Sequence, residues 1–175
     1  MPSDSFAVPG ARGPHDGFHP DLQDRRPDPL PAALTRVHHV RADDLDSSTG
    51  QTTGMRRFAA ISGDRVGSKR MWMGQTHVAP ATASADHHHG ESETAIYIVS
   101  GHPDFVFLEE VDGQPTEVRL HTGPGDYVFV PPFVPHREEN PDPDDEAVVV
   151  IARSTQEAIV VNLPGLYVLR EAPRQ

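Results

Sequence analysis

What most constrains this chain is the shortness of its apolar runs. From Val37 onward, alternating apolar and polar residues persist only briefly before Gly, Pro, Asp or Asn interrupts them, and no long helical period develops. With 18 prolines and 14 glycines in 175 residues, long helices have little uninterrupted sequence to form in. The alternation predicts strands at Val37 to Arg41, Arg56 to Ser62, Lys69 to Val78, Asp86 to His89, Ala95 to Ser100, Asp104 to Val111, Glu117 to Leu120, Asp126 to Val130, Pro135 to Glu139, Ala147 to Arg153 and Glu157 to Val161. Val111-Asp112-Gly113-Gln114 carries the Asp-Gly signal of a tight hairpin. Many short strands in one domain imply an all-β sandwich or barrel, in which sheet packing or closure deals with the strand edges.

Residues 1 to about 33 read differently. Pro2, Pro9, Pro14, Pro20, Pro27, Pro29 and Pro31 are mixed with Gly, Asp and Arg, with almost no apolar periodicity. Such a stretch buries too little to offset its ordering entropy, so the expectation is a Pro-rich N-terminal arm, 1–33, followed by one β domain, 34–175. The alternative is that the part near Leu30 to Val40 lies across a neighbouring subunit of a homodimer. The formal charge of -11 argues against nucleic acid and anionic lipid as partners and leaves a small-molecule ligand as the expected one. With no cysteine, disulfides and thiolate chemistry are excluded, and any metal must be held by His, Asp or Glu. No apolar run has membrane-spanning length and no signal-peptide pattern opens the chain, so a cytoplasmic location is the default expectation.

Chemistry-bearing residues concentrate in Ala85-Asp86-His87-His88-His89-Gly90-Glu91-Ser92-Glu93. In a strand, His87 and His89 share one face while His88 points the other way. A short Gly-containing turn then gives Glu93 room to fold back toward the two rings. Imidazole plus carboxylate suits a divalent first-row metal, and Glu91, two residues beyond His89, is expected to be solvated.

A second stretch, Gly125 to Asn140, ends an alternating strand in paired prolines before His136. The two stretches together resemble the paired signature motifs of the cupin superfamily, in the manner of a single-domain cupin of the type-2 conserved-barrel kind. In the first motif, His87, His89 and Glu93 match, Ala81 stands where a leading Gly is usual, and Gly101 arrives one residue late. In the second, Gly125, Pro131, His136 and Asn140 match, while Phe133 replaces an internal Gly. The resemblance spans roughly Lys69 to Val161. It implies a double-stranded β-helix, or jelly-roll, barrel with one divalent transition metal (Fe, Mn, Ni, Co or Zn) held by His87, His89, Glu93 and His136.

Around that centre, alternation along Lys69 to His77 puts Met71, Met73, Gln75 and His77 on one face, a candidate substrate pocket whose bland alternative is ordinary packing. Phe129, Phe133 and Tyr97 read as core, Arg137 as structural, and the acidic run Glu138 to Glu146 as a solvated loop. Three His and one Glu leave two positions on an octahedral ion, which suits a small anionic bidentate substrate. By similarity to metal-dependent cupins, the leading expectation is an enzyme of dioxygenase type. The alternatives are a metal-dependent isomerase or decarboxylase of a small acid or sugar, and a non-catalytic cupin that binds a small ligand.

Overall fold

The computed structural model describes residues 35–51, 54–155 and 158–170. The expected arm, residues 1–33, lies outside them. The elements in chain order are β1 (Met55–Ile61), α1 (Gly63–Val66), β2 (Trp72–Val78), β3 (Thr82–Ala83), β4 (His87–His88), β5 (Thr94–Ser100), β6 (Asp104–Val111), β7 (Gln114–His121), β8 (Tyr127–Val130), β9 (His136–Asn140), β10 (Ala147–Arg153) and β11 (Val161–Asn162). They form two antiparallel sheets, one ordered β1-β2-β10-β5-β8 and the other β11-β4-β9-β6-β7, with β3 also paired to β9. Sequence neighbours are repeatedly split between the sheets, and the result is the expected jelly roll.

Alternation decides what enters the interior. On β2, Trp72, Gly74, Thr76 and Val78 are buried and the residues between them are not; β10 buries Ala147, Val149, Ile151 and Arg153 in the same rhythm. Trp72, Ile96, Ile98, Phe105, Val130, Val149 and Ile151 pack as one apolar cluster between the sheets. Polar side chains are buried with them, among them Arg57, His87, His89, Thr94, His136, Glu138 and Arg153. An interior this polar is unusual unless it serves a ligand, because each buried polar group must find a partner.

Most expected strands form within a residue or two of their predicted limits. Val37 to Arg41 does not: it is irregular, and Val37 is 96% exposed, so its alternation has no sheet to rest on. The strand expected over Glu157 to Val161 is reduced to β11, with 158–160 irregular. Tyr97, Phe129 and Phe133, expected in the core, are exposed: the inward rows of β5 and β8 are taken by Thr94, Ile96, Ile98, Val128 and Val130, and Phe133 sits in the left-handed turn beyond β8. Tyr97 and Tyr127 instead meet on the outer face, their rings 4.9 Å apart.

The backbone explains the glycine departures noted in the sequence. Ala81 and Phe133, which stand where the motifs carry Gly, both keep left-handed backbone, at φ 48 and φ 62. Their N–H groups are held by Asp142 O and Gly90 O, at 2.7 and 2.8 Å. The turn geometry is therefore kept at a strain cost of about 1 kcal/mol or more per residue.

Gly101 ends β5 with φ 78, and a Cβ added there would lie 2.7 Å from the Ala147 Cα and 2.8 Å from its Cβ. Gly113, in the expected hairpin, has φ 74 but nothing within 4 Å. Gly101→Ala should lower unfolding free energy by about 2–3 kcal/mol, and Gly113→Ala by about 1 kcal/mol, from backbone strain alone. Denaturant unfolding of the two variants measures the difference; equal losses would mean that the close approach at Ala147 costs nothing.

Candidate metal centre

β4 and β9 run side by side, with His87 directly opposite His136 in the ladder. One step of alternation beyond His136 brings Glu138 to the same inward face, in the burial rhythm of His136, Glu138 and Asn140. His89 follows β4 just before the left-handed turn at Gly90. The result is a tight group: the three imidazole rings lie 4.4 to 5.0 Å apart between centroids. His87, His89, His136 and Glu138 each offer a ligand atom, and these atoms all lie within 4.8 Å of one another. All four residues are buried.

Each ring is aimed by a backbone carbonyl. The Nδ1 of His87 donates to Ala85 O at 2.8 Å, that of His136 to Val134 O at 2.9 Å, and that of His89 to Ile159 O at 3.0 Å. A carbonyl can only accept, so Nδ1 carries the proton and the Nε2 lone pair turns inward. Nε2 of His87 and of His136 are buried without any hydrogen-bond partner. Orphaned, inward-facing lone pairs are costly unless something electrophilic fills the space between them, and a divalent ion does so. The residues therefore fit a metal on their own geometry.

Electrostatics point the same way. Burial holds the His87 and His89 rings neutral by lowering their proton affinity, with Arg153 adding to the effect at both. At His136, burial and the neighbouring His87 lower the pKa to about 4. Burial alone would raise the pKa of Glu138. The surrounding His87, His136, Arg57 and Arg153 outweigh it and hold the carboxyl below its usual range. Neutral imidazoles and an ionised carboxylate are the protonation states that bind metal.

Two guanidiniums complete the interior. Arg57 is 1% and Arg153 2% exposed. Arg153 donates to Ile159 O at 2.8 Å, lies with Cζ 5.8 Å from the Trp72 ring centroid, and brings Nη2 to 3.5 Å from His89 Nε2. A cleft of about 280 Å³ reaches His136 and is otherwise walled by apolar side chains, among them Phe105, Phe107, Val128 and Val134.

The structure thus brings together His87, His89 and His136 as the sequence suggested, and replaces the expected fourth member. Glu93 is exposed, while its neighbours Ser92 and Thr94 face inward. The turn at Gly90, closed by Ser92 N–H to His89 O, sets this phase, and the Glu93 backbone is paired with Ser154 in both directions. The carboxylate in the group is Glu138, which is not the start of the solvated acidic loop that the sequence pattern predicts. Two signals in the sequence pointed there. Glu138 shares a strand face with His136, and the late Gly101 shifts the carboxylate position of the first motif by one residue, onto Thr94, so that Glu93 falls out of phase. His88 faces away, accepting a hydrogen bond from Gly90 N–H and lying against Phe133.

The candidate pocket of Met71, Met73, Gln75 and His77 belongs to the outer face of β2. Met71 is exposed, the other three are half-buried, and the inward positions are Trp72, Gly74 and Thr76. His77 instead pairs with Glu146 at 3.2 Å and lines a separate cleft with Arg56 and Phe58, into which none of the three site histidines projects. Arg137 faces outward as expected, bonded to Glu139 at 2.6 Å and Glu117 at 3.1 Å.

An antiparallel jelly roll with an inward His-rich group on facing strands defines the cupin class. Residues 74–152 match the family model described as "Cupin domain", and the two-sheet fold is that of cupin proteins. Among solved structures it is similar to the Bacillus subtilis oxalate decarboxylase studied for its Mn(II) centres, with 20% identity and TM-score 0.55 over 67% of this chain and 30% of that one. The Lactobacillus farciminis oxalate decarboxylase in complex with formate gives 17% identity and TM-score 0.55 over 67% and 34%. The polyketide cyclase RemF from Streptomyces resistomycificus gives 23% identity and TM-score 0.51 over 80% of this chain and 89% of that one. The chain thus spans about a third of the decarboxylases it resembles, and at these identities the likeness establishes the fold. A comparison with curated protein sequences finds no match. Among the described residues, no helix is long and apolar enough to cross a membrane.

Two outcomes follow. Glu138→Gln should weaken divalent-metal binding roughly 100-fold or more, whereas Glu93→Gln should leave it unchanged, as read by competitive chelator titration. In metal-free protein, His136 is neutral when folded but takes up a proton near pH 6.5 when unfolded. Its contribution is therefore complete above about pH 6.5 and is lost as pH falls toward 4, up to about 3 kcal/mol by linkage. Chemical denaturation between pH 4 and 8 should show stability rising with pH across that window; a flat profile would contradict a neutral buried ring.

Proposed function

We propose that this domain holds one divalent transition metal and acts as an enzyme on a small anionic substrate that chelates through two oxygens, with oxygenation as the reaction. The observation that carries the substrate class is the charge of the interior. One carboxylate, Glu138, faces the buried guanidinium of Arg153, so the interior holds no negative charge in excess to offset the two positive charges that a metal would add. Buried charge of one sign is costly, and an anionic ligand is what offsets it. Four protein donors leave two positions of an octahedral ion for that ligand.

A metal bound there supplies Lewis acidity and, when redox-active, a path for electrons. The chain's own residues do the rest. His87, His89 and His136 present fixed lone pairs, Glu138 supplies the compensating charge, and the Arg153 guanidinium beside His89 holds an anion against the group. The apolar cleft ending on His136 excludes water on one side and suits a substrate whose body is apolar beyond its chelating head.

A second reading, redox-neutral decarboxylation or cyclisation at the same centre, is favoured by the activities named for the oxalate decarboxylases and RemF. The experiment that separates the two loads the protein with iron, manganese, nickel or zinc. Each form is then offered a panel of oxalate, enolisable diketones and catechols, with and without oxygen, while oxygen uptake and products are followed. Oxygenation requires uptake that depends on both ligand and a redox-active metal. Equal turnover with zinc under anaerobic conditions would establish the redox-neutral reading, and tight binding without product under every condition would show a ligand-binding module.

A further inference from the structure

Arg153 and Thr94 stand directly opposite each other in the β10–β5 ladder, which puts their side chains on the same inward face. Both are buried, at 2% and 0% exposure. Each also carries an inward polar atom without a hydrogen-bond partner, Nε of Arg153 and Oγ1 of Thr94. Two unpartnered donors side by side in a dry interior are a liability that native proteins rarely keep without a ligand. Their position is specific, because Arg153 Nη2 lies 3.5 Å from Nε2 of His89, the atom that ring offers to a metal. A metal would claim that lone pair and free the guanidinium edge for another acceptor. The rest of Arg153 is held in place, by its hydrogen bond to Ile159 O and by the Trp72 ring.

Counted back from the late Gly101, the carboxylate position of the first motif falls on Thr94 rather than Glu93, and in this chain the carboxylate of the group comes from Glu138 on β9. The position on β5 thereby changes character, from a metal-ligating anion to a hydroxyl donor beside a guanidinium. We infer that Arg153 and Thr94 form an anion-holding pair, in which the guanidinium and the hydroxyl donate to the outer oxygens of a carboxylate or enolate whose inner oxygens reach the metal. This rests on the metal-and-anion reading above and adds to it the residues that select a substrate with acceptor oxygens on its far side. The competing role is structural, with Arg153 serving only to tie down the chain at Ile159 and Thr94 merely filling space.

The test uses Mn(II)-loaded full-length protein, with oxalate as the probe and acetate as a comparator with a single carboxylate, read by calorimetry and by the Mn(II) electron paramagnetic resonance spectrum. Thr94→Val keeps the shape and removes the hydroxyl. It should weaken oxalate binding about fivefold to tenfold, the worth of one hydrogen bond, while melting temperature stays level or rises because an unpaired buried hydroxyl is gone. Arg153→Lys keeps the charge but loses the planar fork and should weaken oxalate about tenfold; Arg153→Met should weaken it about 100-fold. Acetate should discriminate less between wild type and variants, and Mn(II) affinity should stay within about threefold of wild type throughout. If Arg153→Met does not fold, Thr94→Val and Arg153→Lys decide. Oxalate affinity equal to wild type in both, with Mn(II) retained, overturns the pair and leaves the metal reading standing. Wild-type protein that binds Mn(II) but not oxalate also overturns the pair. Wild-type protein that takes up no divalent metal overturns the metal reading and the pair with it.

Discussion

Three backbone carbonyls, those of Ala85, Val134 and Ile159, set the chemistry of this interior. By accepting the Nδ1 proton of each histidine they fix one tautomer and turn three Nε2 lone pairs toward a common space. Neither histidines in proximity nor burial alone would achieve this, since a free ring rotates and exchanges tautomers. Two of the carbonyls lie two residues before their own histidine, so the local path of the chain into β4 and β9 already determines the aim. The third comes from the irregular segment before β11, and it makes the site depend on a part of the chain far away in sequence.

The jelly roll supplies the second constraint, strict alternation on paired strands. It lets β9 present His136 and Glu138 inward while Arg137 and Glu139 join an outward ion-pair network with Asp104, Glu117 and Arg119. It also lets β10 and β5 set Arg153 beside Thr94 without any loop having to be placed accurately. A site built on strands in this way inherits the rigidity of the sheets, and the strained turns at Ala81 and Phe133 are tolerated at their margins.

Much of this was legible in the sequence, and for definite reasons. The all-β class followed from short alternating runs, the hairpin from Asp112-Gly113, and the three histidines from period-two spacing and the paired motifs. The fourth residue is not legible in this way, because a carboxylate after a glycine turn has the freedom to fold back only if the turn leaves the following strand's phase open. The turn instead fixed the phase of β5, sending Ser92 and Thr94 in and Glu93 out. The face of β2 was misassigned for the opposite reason. Alternation identifies two faces but does not say which is interior, and Trp72, not the methionines, turned out to be the inward anchor. Arg57 and Arg153 could not be found by pattern at all, since a buried arginine in a strand looks like any outward one until the sheets are closed.

Ile159 O accepts from His89 Nδ1 and from Arg153 Nη1 at once. One oxygen thus steadies both an imidazole of the metal group and the guanidinium beside it, and the segment that carries it cannot shift for one without disturbing the other. If a metal and an anion take the two positions proposed above, ordering of this carbonyl by one readies the site for the other, and thermodynamic linkage makes that effect equal in both directions. Loading with a metal would then be part of the recognition of an anion, through one peptide oxygen that neither of them touches.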